Sequence, residues 1–401
     1  MTARDAMPDA REHRLGALPV PDGPAEIRWE EAGEQRSALW HSESGWAPPR
    51  RVVIADDRLT ADVAYRLAKS GTGMLWRGDF HNARQLLLAL ARRVDRGRRP
   101  TDKDLTAAFR RSRSEALTRA QLLNLVLVPL EADFTVPLRR APDVRAACTE
   151  TYGPAVGPSV TSLRELIGVI GAHEWRTKGV PIPALGDRIY PHYGVFSPIR
   201  GEYLELVQSA PLPADSLAFD IGVGTGVLAA ILARRGVKHV VGTDQDPRAL
   251  ACARENIERL GLSGQVEIAQ ADLFPPGRAP LVVCNPPWIP AAAVTSTDFA
   301  VYDPDSRMLR GFLAGLADHL EPAGEGWLVI SDIAELLGLR SRAQLLELID
   351  AGGLEVVDRL DTRPTHRRAS DASDPLHAAR AAEVTSLWRL RARPTGASPE
   401  V

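Results

Sequence analysis

The sequence predicts an α/β protein with a seven-stranded, mostly parallel Rossmann-like sheet that has an antiparallel edge strand, preceded by a mainly helical N-terminal domain. Beyond residue 200, short apolar runs alternate with segments of helical periodicity, as in parallel sheets covered by helices on both faces. The last two runs, LEVVDRL and EVTSLWRLRAR, have no helix between them and are expected to pair antiparallel. Residues 60–130 instead repeat apolar side chains at helical spacing.

Length and composition are those of a globular protein with two domains. The chain has 401 residues, of which 44% are hydrophobic and 25% charged, and its formal net charge is -2. We expect an irregular N-terminal segment over residues 1–50 and a helical substrate-recognition domain over 51–176. A Pro-rich connector over 177–200 then leads into a second domain over 201–395.

Several classes of protein are disfavoured by the sequence. The N-terminus lacks the apolar core of a signal peptide, and no apolar run reaches the roughly 18 residues of a membrane span. Cys148, Cys252 and Cys284 lie far apart without a C-x-x-C pair, so neither a disulfide framework nor a metal site is indicated. We therefore expect a cytoplasmic protein without a membrane partner and without a bound metal.

A Gly-rich turn follows the first strand of the second domain. Its glycines, Gly222, Gly224 and Gly226, have the spacing G-x-G-x-G and not the G-x-G-x-x-G of dinucleotide-binding folds. Glycines allow the backbone to approach a ligand and the next helix to start at once. Alone, such a turn is as often merely a tight strand-to-helix connection.

Acidic residues mark the ends of the first three strands and identify the ligand. Asp220 precedes the turn, where its carboxylate would balance a cation. Asp244 ends the second strand, where it would accept ribose hydroxyls, and Asp272 ends the third, where it would accept an adenine amine. A cationic, amino-acid-like nucleoside explains all three acids, whereas a pyrophosphate would be repelled. The cofactor predicted is S-adenosylmethionine.

The tetrapeptide Asn285-Pro286-Pro287-Trp288 follows the fourth strand. The Asn285 amide oxygen and the Pro286 carbonyl can both accept N–H bonds from a planar nitrogen and favour the charge that develops on it. Trp288 would stack on the planar group and attract that positive charge. Asn285, Pro286 and Trp288 are the predicted catalytic residues, and Asn285 also counts among the predicted cofactor contacts.

Together these motifs resemble class I S-adenosylmethionine-dependent methyltransferases with the small-domain topology. Asn285-Pro286-Pro287-Trp288 is similar to the [DNS]-P-P-[YFW] motif of amino-nitrogen methyltransferases, which include adenine-N6 enzymes and the HemK-type enzymes that methylate a glutamine of release factors. The resemblance implies that 201–395 is the catalytic domain. Two features depart from the HemK pattern: Trp288 replaces its tyrosine, and Phe196-Ser197-Pro198-Ile199-Arg200 replaces its connector motif.

Three classes of function follow. The first is N-methylation of a planar amide or amino nitrogen of a protein, glutamine-like, or of a small molecule. The second is adenine-N6 methylation of RNA or DNA, with phosphates held by Arg-rich N-terminal helices. Their basic residues are Arg92, Arg93, Arg96, Arg98, Arg99, Lys103, Arg110, Arg111, Arg113 and Arg119. The third is a non-catalytic binding module, which the intact Asp220, Asp244 and Asn285 disfavour.

Overall fold

Residues 25–96, 104–197, 201–292, 301–364, 374 and 376–394 are described by a computed structural model of the chain. They form a six-stranded sheet in the N-terminal domain and a seven-stranded sheet in the second domain. Along the chain, a two-stranded hairpin lies between the strands of these two sheets. No helix among these residues is long and apolar enough to cross a membrane.

The N-terminal domain is built on a six-stranded mixed sheet, which the prediction of a mainly helical domain does not include, although the described residues of the domain also form five helices. Its strands are β1 (Glu26–Glu31), β2 (Glu34–His41), β3 (Arg51–Ala55), β4 (Thr72–Trp76), β5 (Val126–Leu130) and β6 (Ser159–Ser162), in the spatial order β1-β2-β6-β5-β4-β3. Its helices are α1 (Ala61–Lys69), α2 (Phe80–Asp95), α3 (Leu105–Leu123), α4 (Arg145–Tyr152) and α5 (Leu163–Lys178).

Burial explains why the sequence pattern does not predict these strands. Every residue of β5 is buried, so the strand lacks the apolar–polar alternation of a half-exposed strand and extends the apolar pattern of α3. The helix ends at Leu123, and Pro129 then lies in the strand, where its missing N–H would have interrupted a helix.

The segment 1–50 is not irregular throughout, which corrects a second expectation. β1 and β2 pair antiparallel, from Glu26 opposite Leu39 to Glu31 opposite Glu34. Ile27 and Trp29 alternate with exposed neighbours along β1 and bury their side chains beside Trp40 of β2. Residues 1–24 lie outside the described part of the chain.

The connector expected over 177–200 is partly folded into the second domain. It contains a two-stranded antiparallel hairpin, β7 (Val180–Ile182) and β8 (Asp187–Ile189). Val180, Ile182 and Ile189 are buried in the core of the second domain. The hairpin is therefore an element of that domain, whereas residues 190–197 lie between the two domains.

The second domain holds a seven-stranded sheet of order β11-β10-β9-β12-β13-β15-β14. Its strands are β9 (Leu217–Ile221), β10 (His239–Asp244), β11 (Val266–Gln270), β12 (Ala279–Cys284), β13 (Leu320–Ser331), β14 (Leu354–Thr362) and β15 (Thr385–Ala392). Its helices are α6 (Glu202–Ser209), α7 (Val227–Arg234), α8 (Pro247–Arg259), α9 (Arg307–His319), α10 (Ile333–Leu336), α11 (Arg342–Ala351) and α12 (His377–Ala382).

The antiparallel strand is not at the edge, which corrects a third expectation. β15 runs antiparallel to both β13 and β14 and lies between them, so β14 is the edge strand. A short helix, α12, also lies between β14 and β15 in the chain, where the sequence predicts only a polar loop. Two apolar cores cover the faces of the sheet, one with α6 and α7 and the other with α9 and α11.

Candidate active site

A cavity of about 960 Å³ lies at the carboxyl ends of β9, β10 and β12. Its lining contains both the Gly-rich turn, through Gly222 and Gly224, and the tetrapeptide Asn285–Trp288. β9 pairs parallel with β10 on one side and with β12 on the other, so the loops after these strands meet at one edge. The sheet therefore brings together two motifs that the sequence places far apart, at the position where such folds bind ligands.

The Gly-rich turn has a backbone shape that favours glycine at all three of its glycine positions, where φ is positive. At Gly222 φ is +76°, and an added Cβ would lie 2.4 Å from Met308 Cε. At Gly226 φ is +83°, and this residue is the N-cap of α7. Thr243 O accepts the N–H groups of Gly222 and Val223 at 2.9 and 2.8 Å, which fastens the turn to β10. Gly226 does not line the cavity, so its predicted cofactor role is at most to shape the turn.

Asp220 lies behind the turn and not on the cavity wall. Its carboxylate is fully buried, and its Oδ2 accepts the N–H of Ala229 at 2.9 Å, which satisfies a free donor in the first turn of α7. Its Oδ1 has no hydrogen-bond partner among the described residues. Burial, and next the negative charge of Asp244, raises the pKa of Asp220 to about 7, although the Ala229 N–H opposes the shift.

This raised pKa predicts a pH dependence of donor binding. Below about pH 7 Asp220 is neutral, and above it the ionised carboxylate attracts a cationic ligand. The affinity for S-adenosylmethionine should therefore rise with pH through about 7, by at most about tenfold per unit because one proton is linked. Titration calorimetry from pH 5.5 to 8.5 would measure it. Asp220→Asn should flatten the profile between pH 6 and 8, and an unchanged profile in that variant would contradict the assignment.

Asp244 ends β10 and lines the cavity. Its Oδ2 accepts the N–H of Gly224 at 3.1 Å, and its Oδ1 accepts the N–H of Asp246 at 3.0 Å. Burial raises the pKa of this carboxyl although both N–H groups lower it. Each oxygen keeps a second lone pair for a ligand hydroxyl. The geometry therefore suits the predicted ribose contact.

Asp272 lies at the rim of the cavity, after β11. Its side chain is 65% exposed and lies 3.5 Å from Arg307 Nη2, and its Oδ1 accepts a hydrogen bond from the Gln245 side chain. An exposed carboxylate with these partners is weakly placed to bind an adenine amine. Its contact with the cofactor stays a prediction.

The tetrapeptide after β12 is held by a network that the sequence does not reveal. Trp288 Nε1 donates to Asn285 Oδ1 at 2.9 Å, and the buried Tyr203 hydroxyl is hydrogen-bonded to the Asn285 side chain. The rings of Tyr203 and Trp288 meet edge to face at 6.4 Å. Tyr203 comes from α6, and burial raises its pKa, so it stays neutral. The Asn285 amide is thus fixed, with one oxygen lone pair left.

The N-terminal domain forms one wall of the cavity. Phe109 of α3 lines it and packs in an apolar cluster with Ile333 and Leu337. Thr106 Oγ1 donates to Leu337 O at 2.8 Å, and the Arg113 guanidinium lies 3.9 Å from the centre of the Tyr302 ring. Phe109 is not among the residues that the sequence motifs predict. Its only signal is that it is the one aromatic residue of a helix otherwise rich in arginine.

The Arg-rich helices offer fewer free charges than the sequence suggests. Arg93 pairs with Asp62 and Arg119 with Asp95, and Arg113 Nη2 donates to Ala292 O at 2.8 Å. Arg98, Arg99 and Lys103 lie outside the described residues. The expected nucleic-acid surface therefore finds no support in the contacts of α2 and α3.

Comparisons with known proteins agree with this site. Residues 189–339 match the model of the methyltransferase small domain family. The release factor glutamine methyltransferase of Cereibacter sphaeroides is 30% identical over 178 residues, 41% of this chain and 63% of that protein. The same enzyme of Geobacter sulfurreducens is 32% identical over 176 residues, 39% of this chain and 60% of that protein. The ribosomal protein L11 methyltransferase of Pelotomaculum thermopropionicum is 42% identical over 84 residues, 20% of this chain and 27% of that protein.

The fold, the site and the family match of residues 189–339 are like those of class I S-adenosylmethionine-dependent methyltransferases, and the site suits S-adenosylmethionine as a cofactor. The match to the methyltransferase small domain family and the similarity to release factor glutamine methyltransferases support the predicted resemblance to HemK-like enzymes. The chain spans about three fifths of the length of the two release factor relatives it matches.

Proposed function

We propose that this protein transfers a methyl group from S-adenosylmethionine to the side-chain amide nitrogen of a glutamine in a protein. The observation that carries the proposal is the cavity shared by Asn285, Trp288 and the Gly-rich turn. Its two halves serve different tasks. The turn and Asp244 would hold the donor, and Asn285 with the Pro286 carbonyl would hold the acceptor nitrogen.

The buried acids fit the donor. S-adenosylmethionine supplies a methyl group already activated by its attachment to a sulfonium sulfur. Such a ligand is cationic, and Asp244 on the cavity wall, together with the ionised form of Asp220 behind the turn, would attract a cation to this end of the cavity. Because the attack is in line, most of the rate comes from holding nitrogen and methyl carbon together.

Asn285 and Pro286 would activate the acceptor. An amide nitrogen shares its lone pair with its carbonyl group and is a poor nucleophile. Two hydrogen bonds, to the free lone pair of Asn285 Oδ1 and to the Pro286 carbonyl, would draw its N–H groups and favour the positive charge that develops. The nitrogen forms its bond to the methyl carbon as the carbon–sulfur bond breaks, and it then loses one proton to water.

The acceptor side of the cavity suits an inserted side chain. Its wall is apolar, formed by Phe109, Ile333, Leu337 and Leu376, and Arg380 and Glu383 also line the cavity. An apolar wall would exclude water from a planar amide and hold its methylene groups. The adenine-N6 alternative would need a flipped base as well as a basic approach surface. The contacts of Arg93, Arg113 and Arg119 lend that surface no support.

Labelling can separate these acceptors. The protein would be incubated with cell extract and S-adenosylmethionine carrying a radioactive methyl group, and portions would then receive protease or nuclease. The proposal expects the label in macromolecules that survive nuclease and are lost with protease. Label lost with nuclease alone would favour the adenine alternative, and label only in small molecules would exclude a protein acceptor. An Asn285→Ala protein controls for other methyltransferases in the extract.

Phe109 should matter for the acceptor more than for the donor. Phe109→Ala removes the ring that α3 places on the cavity wall, where it is 4% exposed. We expect about a tenfold loss of labelling rate at limiting acceptor, as for a lost apolar pocket contact. The dissociation constant of S-adenosylhomocysteine should change less than twofold. Leu117→Ala is the matched control, because Leu117 lies on α3 but is 37% exposed, and an equal loss there would contradict a local role.

A further inference from the structure

The donor end of the cavity also receives a residue from the N-terminal domain. Glu43, in the loop after β2, lines the cavity together with Asp244, Gln245 and Arg248. Its carboxylate is paired with Arg248 of α8, with Glu43 Oε2 at 2.8 Å from Arg248 Nη1, and the side chain of Glu43 is only 19% exposed. This ion pair joins the two domains at the rim of the donor site.

Arg248 connects several segments at this point. It lies in the first turn of α8, directly after the strand end that carries Asp244. Its Nη1 also lies 3.4 Å from Tyr193 O, and its Nη2 lies 3.5 Å from Thr151 O at the end of α4. The guanidinium therefore holds the backbone at Tyr193, and the residues that follow, Gly194, Val195 and Phe196, line the cavity.

The position of Glu43 is set by the interior of the N-terminal domain. Its backbone N–H donates to Glu165 Oε1 at 3.0 Å, and the same oxygen accepts the Tyr152 hydroxyl at 3.0 Å. Burial raises the pKa of Glu165, although these hydrogen bonds oppose the shift. The backbone of Glu43 is thus held from α5 within the N-terminal domain, whereas its side chain reaches Arg248 of the second domain.

We propose that Glu43 is a positioning residue of the methyl-donor site, which acts through Arg248 and couples donor binding to the docking of the N-terminal domain. Without its carboxylate, Arg248 loses its anionic partner at the rim of the cavity, so its guanidinium is less firmly placed beside Tyr193 O. By linkage, a donor that binds better to the docked arrangement must also favour docking. The inference rests on the proposed function only in that the cavity binds the donor.

A second ion pair between the domains provides the matched control. Arg176 of α5 pairs with Glu255 of α8 at 2.7 Å, but neither residue lines the cavity. Loss of this pair removes a contact between the N-terminal domain and α8 but changes no residue that lines the cavity. A difference between the two pairs therefore separates a local effect at the donor site from a general loss of docking.

The test is the dissociation constant of S-adenosylhomocysteine for the full chain, measured by titration calorimetry. We expect Glu43→Gln to raise it about tenfold and Arg176→Gln less than twofold. Glu43→Arg and Arg248→Glu should each weaken binding, and their combination should restore it to within about threefold of the original protein, because the exchanged charges form the same ion pair. The weakening in Glu43→Gln should also shrink as salt rises.

The contrary outcomes are distinct. Equal affinity of Glu43→Gln and the original protein would overturn the proposed role of Glu43 while leaving the donor site intact. Equal weakening by Arg176→Gln would overturn the positioning role specific to Glu43, because a general loss of docking would then explain both effects. A charge-exchanged double variant as weak as its single variants would overturn the role of the ion pair. Absence of binding by the original protein would overturn the donor site itself, and the coupling with it.

Discussion

Asn285→Ala is expected to lower kcat by about 10²–10³-fold, the loss seen when one group that stabilises developing charge is removed. The physical reason is that, in the proposed arrangement, the fixed amide oxygen would accept a hydrogen bond from the nitrogen on which positive charge develops. Trp288 Nε1 and Tyr203 already hold the amide in place, so no reorganisation is needed during the reaction. Initial rates of protein labelling at saturating donor would measure the effect.

Binding of the donor distinguishes this role from a loss of structure. The dissociation constant of S-adenosylhomocysteine should stay within about twofold in Asn285→Ala, since Asp244 and the Gly-rich turn are unchanged. Tyr203→Phe is a useful companion, because it removes only the hydroxyl that is bonded to the Asn285 side chain. A smaller loss of kcat is expected there. Full turnover by Asn285→Ala would contradict the assigned role.

Asp244→Ala is expected to have the largest effect on donor binding. Two hydrogen bonds from ribose hydroxyls to a carboxylate would be lost, at about 1.5–3 kcal/mol each before partial compensation by water. The Gly224 N–H would lose its acceptor as well, which loosens the turn. We expect the dissociation constant of S-adenosylhomocysteine to rise about 100-fold, as measured by titration calorimetry.

Asp272→Ala supplies the comparison for Asp244→Ala. Because Asp272 is 65% exposed and contacts Arg307, its replacement should weaken S-adenosylhomocysteine binding by less than about fivefold. An effect of Asp272→Ala as large as that of Asp244→Ala would show that Asp272 binds the adenine of the cofactor despite its exposure. Unchanged binding by Asp244→Ala would contradict the placement of the ribose.

The strands and helices of the second domain can be predicted from the sequence because each produces a local pattern of apolar and polar residues. LAFDI, HVVGTD and APLVVC are short apolar runs, each followed by a turn or by an acid, and α8 begins at a proline after the N-cap Asp246. Both motifs of the site follow strands directly, so a parallel sheet predicts that they lie at the same edge. The spatial order of the last three strands cannot be predicted in this way, because β15 inserts between β13 and β14.

The strands of the N-terminal domain cannot be predicted from the sequence pattern, for a physical reason. Its strands β4, β5 and β6 are buried at every position, so they show no alternation and merge with the helical patterns beside them. Tyr203, Phe109 and Glu43 were missed as site residues for a different reason. Each lies outside the two motifs that follow strands of the second domain and reaches the cavity only through tertiary packing.

The identity of the methylated atom can be tested by strong acid hydrolysis of the labelled product. Hydrolysis cleaves a glutamine side chain methylated on its amide nitrogen to glutamate and methylamine. We expect the radioactive methyl group to be recovered as methylamine, which is volatile once the hydrolysate is made alkaline. Recovery of the label in methylated adenine, or in a methylated amino acid that survives hydrolysis, would contradict this expectation.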